Sequence, residues 1–276
     1  MRSELVEERK SGSASTGSAR MAAAITTENV AAAFDEVAHS YDLMVALNPG
    51  YHAHLQAAAD ALVELLPRRK PAGSAPLVRL LDLGCGSGAS TRAVQLAAQQ
   101  ADLGFAIVGV DSSAGMIERA RAKRWPAGVR FEVGQAEEIA SSQDSWGLGG
   151  SIQGAFAAYL FRNVADRDAV LAELFELLGD DGALVVQEYS IAGSRGARLV
   201  WNAVCWLLVI PLGWLTSRRT RLYRYLWRSV RSFDSIQTFV DRLYGAGFVD
   251  VEVRTAPGWQ RGILHTFRAR KPSAAS

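Results

Sequence analysis

The stretch from Val78 to Thr91 reads VRLLDLGCGSGAST, and it decides the fold. Its first half is a short apolar run with an acid near its end, Asp82, which is typical of a buried parallel strand. Glycines follow at alternate positions, Gly84, Gly86 and Gly88, and such a loop turns tightly and lets a ligand approach the backbone. A helical pattern begins directly afterwards. Strand, glycine loop and helix predict the first unit of a doubly wound α/β nucleotide-binding fold.

A second apolar strand is predicted from Phe105 to Val110, and Asp111 follows it directly. An acid at the tip of the second strand, roughly twenty residues after the glycines, binds the ribose hydroxyls of an adenosine-type cofactor. The alternative is a glycine-rich turn before a helix with no ligand. The placement of Asp111 favours the cofactor site.

Composition narrows the function classes. The 276 residues carry 30 Lys and Arg against 28 Asp and Glu, and this near balance gives no ground for nucleic-acid binding. The only two cysteines, Cys85 and Cys205, provide no disulfide framework, and no metal site is predicted. Residues 1–26 are polar and rich in Ser, Ala and Gly, which predicts a disordered tail without the apolar core of a signal peptide. We therefore expect a cytoplasmic protein.

Strand and helix patterns alternate from the glycine loop to the apolar strand Ala183–Glu188, which predicts a parallel sheet with right-handed crossovers. The string GDDG at 179–182 predicts a turn before that strand. We expect residues 27–276 to form one domain. It would include a helical cap over 27–66 and a helical insertion, first apolar and then basic, over about 197–232.

Four strings of the sequence are similar to motifs of known protein families. LDLGCGSG (81–88) followed by GVDSSAGM (109–116) resembles motif one and its successor in class I S-adenosylmethionine (SAM)-dependent methyltransferases. FDEVAHSYDLM (34–44) and LFRNV (160–164) resemble segments of the UbiE-type ubiquinone/menaquinone C-methyltransferases, and this resemblance extends over about 34–271. The family usually has asparagine or an acid at three positions that differ here: Val45, Gln135 and Gln153.

The resemblance implies SAM as the cofactor and a Rossmann-like α/β sheet of seven strands, with helices on both faces and the last strand antiparallel. Asp111 would hold the ribose, and the glycine loop would line the methionine and ribose side. Asp82 would help with the amino end of SAM or order the loop. The implied residues are Asp82, Gly84, Gly86, Ser87, Gly88 and Asp111 for ribose and methionine, and Met116, Gln135, Ala136 and Ala158 for adenine.

The same resemblance implies an acceptor, a prenylated demethyl-quinol such as demethylmenaquinol, methylated at a ring carbon. Loss of a hydroxyl proton raises the electron density of that carbon, so a general base or a water held by the protein is useful. Arg162, Asn163 and Tyr41 are the candidates to hold it, and Arg162 could also stabilise a quinolate. The alternative for Arg162 is an ion pair with an acid on a neighbouring loop.

The most apolar stretch is Leu199–Leu215, followed by an arginine-rich segment. The stretch is shorter than the roughly 20 residues of a membrane-spanning helix and contains Pro211 and Gly213. We therefore expect it to pack into the fold or to form a wall for an apolar substrate. Four arginines repeat at helical spacing on one face, which suits either an anionic membrane surface or a solvated helix face. They are Arg221, Arg224, Arg228 and Arg231.

Other functions remain open on the sequence. The framework methylates many lipophilic molecules, so another hydrophobic small molecule is an alternative acceptor. A nicotinamide-dependent oxidoreductase shares the glycine loop and the acid, but no tyrosine is followed by lysine four residues later, as in short-chain dehydrogenases. A non-catalytic SAM-binding accessory of a membrane lipid pathway is the third possibility.

Overall fold

The computed structural model describes residues 30–35, 50–66, 77–217 and 221–273. Seven strands form one sheet: β1 (Leu77–Leu83), β2 (Gly104–Asp111), β3 (Val129–Val133), β4 (Ile152–Ala158), β5 (Leu178–Tyr189), β6 (Val249–Thr255) and β7 (Leu264–Arg270). Their spatial order is β3-β2-β1-β4-β5-β7-β6. The last strand, β7, runs antiparallel to both of its neighbours, and the pairs from β3 to β5 are parallel. This confirms the predicted seven-stranded α/β sheet with its antiparallel last strand.

Helices cover both faces of the sheet. They are α1 (Val30–Asp35), α2 (Tyr51–Leu65), α3 (Ala89–Gln100), α4 (Ala114–Arg121), α5 (Ile139–Ser142), α6 (Arg167–Leu177), α7 (Arg195–Val204), α8 (Ile210–Ser217), α9 (Arg221–Ser232) and α10 (Ile236–Gly245). The helices α2 and α3 bury one face of the central strands, and α5, α6 and α10 bury the other. Cover on both sides accounts for the mostly apolar composition of β1, β4 and the second half of β5.

The turn predicted at residues 179–182 is wrong. These residues belong to β5, which starts at Leu178 rather than Ala183, and Leu178 pairs with Ile152 across a register shift. Asp181 adopts a left-handed φ of 59°, a conformation that Asp tolerates better than most residues. The turn-forming residues therefore produce an irregularity within a strand, while the burial of Leu178 keeps the chain in the sheet.

The apolar stretch forms one continuous helical segment, in which a π-helical turn at Cys205–Val209 joins α7 to α8. Pro211 lacks a backbone donor, and the π turn lies directly before it, where the ordinary helical ladder is interrupted. In the described part of the chain, Arg195–Trp214 is the one helix long and apolar enough to span a membrane. Only 28% of its most apolar stretch is buried. The expectation of a helix packed into the fold is therefore wrong for most of its surface.

Candidate active site

A cavity of about 450 Å³ opens at the carboxyl ends of the central parallel strands, the place where open α/β sheets bind ligands. Its lining brings together most residues predicted from the sequence. Those on its wall are Gly84, Gly86, Ser87, Asp111, Met116, Gln135, Ala136, Ala158, Arg162 and Asn163. The predicted Tyr41 lies outside the described residues.

The glycine loop is fastened to the end of β2. The backbone N–H groups of Gly84 and Cys85 both donate to the Val110 carbonyl, at 2.8 and 3.0 Å. Gly84 has a φ of 74°, and a Cβ there would overlap the side chain of Leu160. At Gly86, an added Cβ would meet nothing within 4 Å, so this backbone faces open space. The loop thus presents bare backbone to the cavity.

Asp111 lies at the cavity wall with its carboxylate oriented by backbone donors. Its Oδ2 accepts from the Gly86 N–H at 2.8 Å, and its Oδ1 accepts from the Ser113 N–H at 2.9 Å. Burial raises the pKa of Asp111 above its ordinary value, and these two hydrogen bonds act in the opposite direction. Each oxygen keeps a second lone pair, so the carboxylate is able to accept hydroxyl donors from a ligand.

Asp82 and Gly88 lie behind the wall rather than on it. Asp82 is fully buried, and its Oδ2 accepts from Ser90 Oγ at 2.7 Å and Thr91 Oγ1 at 2.5 Å. Of the two predicted roles, these bonds match the ordering of the loop and of α3. Its other oxygen, Oδ1, has no hydrogen-bond partner in the described structure, and burial raises the pKa of Asp82 to about 7. Gly88 is covered by the ring of Trp125.

The predicted adenine side combines apolar walls with an amide. Met116 and Ala158 are buried, and Ala136 begins a short 3₁₀ turn after β3. Gln135 donates through Nε2 to Glu138 Oε1 at 3.3 Å, while Glu138 Oε2 accepts from the Gln135 backbone at 3.1 Å. The Gln135 side chain is thus held at the rim by an acid three residues later.

Arg162 is held by a buried acid that the sequence analysis did not identify. Its Nη1 donates to Glu188 Oε1 at 2.6 Å, and its backbone N–H donates to Oε2 of the same carboxylate at 3.3 Å. Glu188 is fully buried at the carboxyl end of β5, so the alternative prediction of an ion pair is confirmed, with a strand residue rather than a loop acid as the partner. The acid ending the apolar run ALVVQE was the available signal. Arg162 still lines the cavity, so the pair fixes where the guanidinium lies.

Asn163 connects the cavity to the basic helix. Its Oδ1 accepts from the hydroxyl of Tyr225 on α9 at 3.1 Å, and its Nδ2 donates to the Tyr159 carbonyl at 3.4 Å. Burial raises the pKa of Tyr225, so this hydroxyl stays protonated as a donor. Tyr225 was not among the site residues predicted from the sequence.

A stack of aromatic rings, also missed by the sequence analysis, leads away from the cavity. Tyr51 and Tyr159 line the cavity, with ring centroids 5.3 Å apart, and Tyr189 stacks on Tyr159 at 5.1 Å. Trp201 of α7 continues the series, 5.0 Å from Tyr189. The Arg162 guanidinium lies 5.7 Å from the Tyr159 ring. Because the rings come from α2, the residue after β4, β5 and α7, no sequence spacing indicates their stacking.

The first helix closes the cavity on the α4 side. Phe34 lies on the cavity wall, and Asp35 Oδ1 accepts from Ser113 Oγ at 2.5 Å and from the Gly115 N–H at 2.9 Å. This pins α1 to the start of α4. Both described parts of the predicted N-terminal cap thus contribute to the site, α1 through Phe34 and α2 through Tyr51.

The residues present fit SAM. The open backbone at Gly86, the acceptor oxygens of Asp111 and the apolar walls at Met116 and Ala158 would suit methionine, ribose and adenine respectively. The unpartnered Oδ1 of Asp82 adds an acceptor beneath the loop. Among the described residues, no group of three or more His, Cys, Asp or Glu side chains is placed to hold a metal ion.

Comparison with known proteins matches this chain to methyltransferases. The family model described as the ubiE/COQ5 methyltransferase family matches residues 22–270. The ubiquinone/menaquinone biosynthesis C-methyltransferase UbiE of Bradyrhizobium diazoefficiens is 29% identical over 231 residues, which cover 82% of this chain and 85% of that protein. A trans-aconitate 2-methyltransferase of Deinococcus radiodurans is 36% identical, but over 88 residues that span only 32% of this chain and 30% of that protein.

Solved structures show the same fold at low sequence identity. The Haemonchus contortus phosphoethanolamine N-methyltransferase 2 in complex with S-adenosyl-L-methionine aligns with a TM-score of 0.58 at 15% identity, covering 91% of this chain and 61% of that one. The [4+2]-cyclase SpnF aligns with a TM-score of 0.60 at 16% identity, covering 91% and 98%. Since one fold includes a methyltransferase and a cyclase, these structures establish architecture and not a reaction.

Proposed function

The chain belongs to the ubiE/COQ5 methyltransferase family and is a SAM-dependent methyltransferase, and we propose that it methylates a ring carbon of a prenylated demethyl-quinol of the demethylmenaquinol type. One observation carries the proposal. Arg162 and Asn163 lie on the same cavity wall as the stacked rings of Tyr51 and Tyr159, next to the glycine loop. A cation, an amide and flat aromatic surfaces suit an acceptor that is itself an aromatic ring bearing hydroxyl groups.

SAM supplies a methyl group that its positive sulfur already activates. The protein must hold the ring carbon in line with that methyl group and exclude water. One S–C bond would break as one C–C bond forms, with the electron pair of the broken bond staying on sulfur, and the methylated ring carbon would then release its proton to a water molecule. Asp111, the glycine loop and Met116 would hold the cofactor, while Tyr51 and Tyr159 would hold the plane of the acceptor.

Arg162 and Asn163 act on the hydroxyl groups of the acceptor. A guanidinium stays protonated throughout the pH range in which proteins work, so Arg162 is not the base. Its positive charge stabilises a quinolate, which is the form with the more electron-rich ring carbon. Asn163 orients a hydroxyl or a water through its amide. Burial raises the pKa of Tyr159 well above its ordinary value, so that hydroxyl also remains protonated and serves only in hydrogen bonding.

A prenyl tail needs apolar surface beyond the cavity. The aromatic stack supports such a path because it begins in the cavity at Tyr51 and ends at Trp201 on the apolar helix α7. A quinol with a long tail resides in a lipid bilayer. We therefore place the protein in the cytoplasm with peripheral attachment to the membrane.

The test is methyl transfer from labelled SAM to purified, chemically reduced demethylmenaquinol. We expect label in the quinone fraction with the natural chain. Asp111→Ala removes the carboxylate at the cavity wall and should abolish both SAM binding and labelling. Arg162→Lys keeps a charge beside Glu188 but loses the planar fork, so it should bind SAM normally and label the quinone at least about tenfold more slowly. Asp180→Asn, at an exposed site on β5, is the control and should behave as the natural chain.

Label in a different lipid from a mixed extract would replace the proposed acceptor with another hydrophobic molecule. Normal SAM binding with no label in any lipid would favour the non-catalytic accessory instead. Unchanged labelling in Arg162→Lys would remove the guanidinium from the mechanism. SAM affinity, measured by calorimetry on each variant, separates loss of cofactor binding from loss of methyl transfer.

A further inference from the structure

The outer face of the α7–α8 helix is apolar and exposed. Leu199, Leu207, Leu208 and Trp214 are 71, 73, 63 and 60% exposed, and Trp206 is also exposed. Positions 199, 206–207 and 214 recur at intervals of seven or eight residues, so they lie along one stripe of the helix. Single exposed apolar side chains are ordinary, but a continuous stripe marks an interaction surface.

The inner face of the same helix packs against the protein. Ala197, Trp201 and Cys205 are buried at intervals of four residues. Farther along, Gly213 contacts Tyr223 of α9 so closely that an added Cβ would overlap the ring. A polar bond also fixes this face, because the Trp227 indole donates to Asn202 Oδ1 at 2.8 Å. A helix held along its length in this way lies on the protein surface, which is the arrangement of an interfacial helix and not of a spanning one.

Basic side chains border the apolar stripe. The Trp206 ring lies 5.6 Å from Trp227, and the Arg231 guanidinium lies 4.8 Å from the Trp227 ring. The described arginines on these helices are all exposed: Arg195 and Arg198 on α7, and Arg221, Arg224, Arg228 and Arg231 on α9. Between Tyr189 and Phe233 the sequence has eight arginines and no Asp or Glu, although the whole chain is nearly neutral. The positive charge is therefore concentrated at the apolar helix.

We propose that this surface, formed by the outer faces of α7–α8 and α9, docks on an anionic lipid bilayer. Leucine side chains insert among the acyl chains, Trp206 and Trp214 lie at the interface, and the arginines contact lipid phosphates. Charge complementarity selects this partner over a second copy of the chain, since two copies meeting through this face would bring like charges together. The inference deepens the proposed membrane attachment and rests on the proposed function only for its biological purpose.

Docking at this surface places the bilayer one helix away from the acceptor side of the cavity. The arginines of α9 face outward, while Tyr225 on the same helix donates inward to Asn163. The aromatic stack likewise reaches from Tyr51 in the cavity to Trp201 on the inner face of α7. Both connections fit an acceptor that enters from the membrane.

The experiment is sedimentation of the full chain with vesicles, without SAM or quinol, so that its outcome is independent of methyl transfer. We expect stronger binding to vesicles of phosphatidylcholine with phosphatidylglycerol than to phosphatidylcholine alone. Leu207→Gln should weaken binding at least about fivefold, because it removes an inserted apolar side chain. Its matched control is Leu77→Gln. Leu77 is 67% exposed at the amino end of β1, and the cavity lies at the carboxyl ends of the strands.

The charge contribution has its own pair of variants. Arg228→Gln should weaken binding to the anionic vesicles about fivefold and leave binding to the neutral ones unchanged. Arg124→Gln, an exposed arginine after α4, should bind as the natural chain does. Absence of vesicle binding by the natural chain would overturn the proposal, as would equal losses in the variants and their controls. A change of sedimentation coefficient in Leu207→Gln, with vesicle binding intact, would instead assign the surface to self-association.

Discussion

Glu188 determines how Arg162 is presented to the cavity. Its Oε1 accepts from both Arg162 Nη1 and the Tyr189 N–H, and its Oε2 accepts from the Arg162 backbone. Glu188→Gln leaves only one acceptor atom for these donors and removes the charge opposite a buried guanidinium. We expect the free energy of unfolding to fall by about 3–5 kcal/mol. Urea unfolding measures this loss.

The matched control is Glu252→Gln. Glu252 pairs with Arg254 and Arg268, but its side chain is half exposed, so the change should cost about 1 kcal/mol or less. If Glu188 positions Arg162, folded Glu188→Gln should also bind SAM normally and transfer methyl groups more slowly. Equal destabilisation in the two variants would contradict the buried pair.

The buried carboxyl group of Asp82 should make the stability of the protein depend on pH. Its pKa rises from an ordinary 3.8 to about 7 in the folded chain, mainly through burial. Between these values the folded state holds a proton that the unfolded state has lost, so this group makes the free energy of unfolding fall as the pH rises. Asp82→Asn removes that contribution, and each unit of pKa shift corresponds to about 1.4 kcal/mol.

Urea unfolding at several pH values between about 4 and about 7 measures this slope. Asp82→Asn should show a shallower decline in the free energy of unfolding than the natural chain. Some decline should remain, because burial also raises the pKa of Asp111. Asp180→Asn removes an exposed carboxylate and should keep the full slope. An unchanged slope in Asp82→Asn would show that Asp82 is ionised throughout.

The residues that the sequence predicted well share one property, which is that the fold itself fixes their place. Gly86 follows β1, Asp111 ends β2 and Arg162 follows β4, so all three lie where the carboxyl ends of parallel strands meet. Glu188 and Tyr159 were missed because their roles depend on contacts across strands. Nothing in a single strand indicates that Glu188 faces Arg162 or that Tyr159 stacks on two rings.

The helical insertion shows the same limit for whole elements. Its helices were predicted from composition and spacing, and both are present as α7–α8 and α9. The packing of these helices was not predicted, because an apolar run of this length suits a core helix, a spanning helix or a surface helix equally well. Only tertiary contacts decide, and here Gly213 allows α8 to approach Tyr223 while the outer stripe stays exposed.

Gly213 therefore allows a direct test of the contact between these elements. Gly213→Ala adds a methyl group that overlaps the Tyr223 ring, so we expect a loss of about 1–3 kcal/mol in the free energy of unfolding. Gly196→Ala, in the first turn of α7, meets nothing within 4 Å and should stabilise by up to about 1 kcal/mol, since alanine is the better helix former. Thermal unfolding of the two variants measures the contrast. Stabilisation by both variants would mean that α8 does not pack closely on α9.

Much of the positive charge of the molecule lies in one segment, away from the cofactor site. The segment from Tyr189 to Phe233 carries eight of the 30 Lys and Arg and none of the 28 Asp and Glu. The remaining chain is consequently acidic on balance. Such a molecule orients itself in the field of an anionic surface, with the arginine-rich side toward the lipid.

This orientation predicts how salt affects turnover. Raising the salt concentration from about 0.1 M to about 1 M shortens the screening length from about 10 Å to about 3 Å, which weakens attraction between the arginines and lipid phosphates. Methyl transfer to a long-chain acceptor in anionic vesicles should therefore slow several-fold. Transfer to a short-chain, water-soluble analogue of the same acceptor should change little, because Arg162 and Glu188 are buried and screened less. An equal loss with both acceptors would place the salt effect in the cavity, and no loss with either would mean that charge does not bring the protein to its lipid substrate.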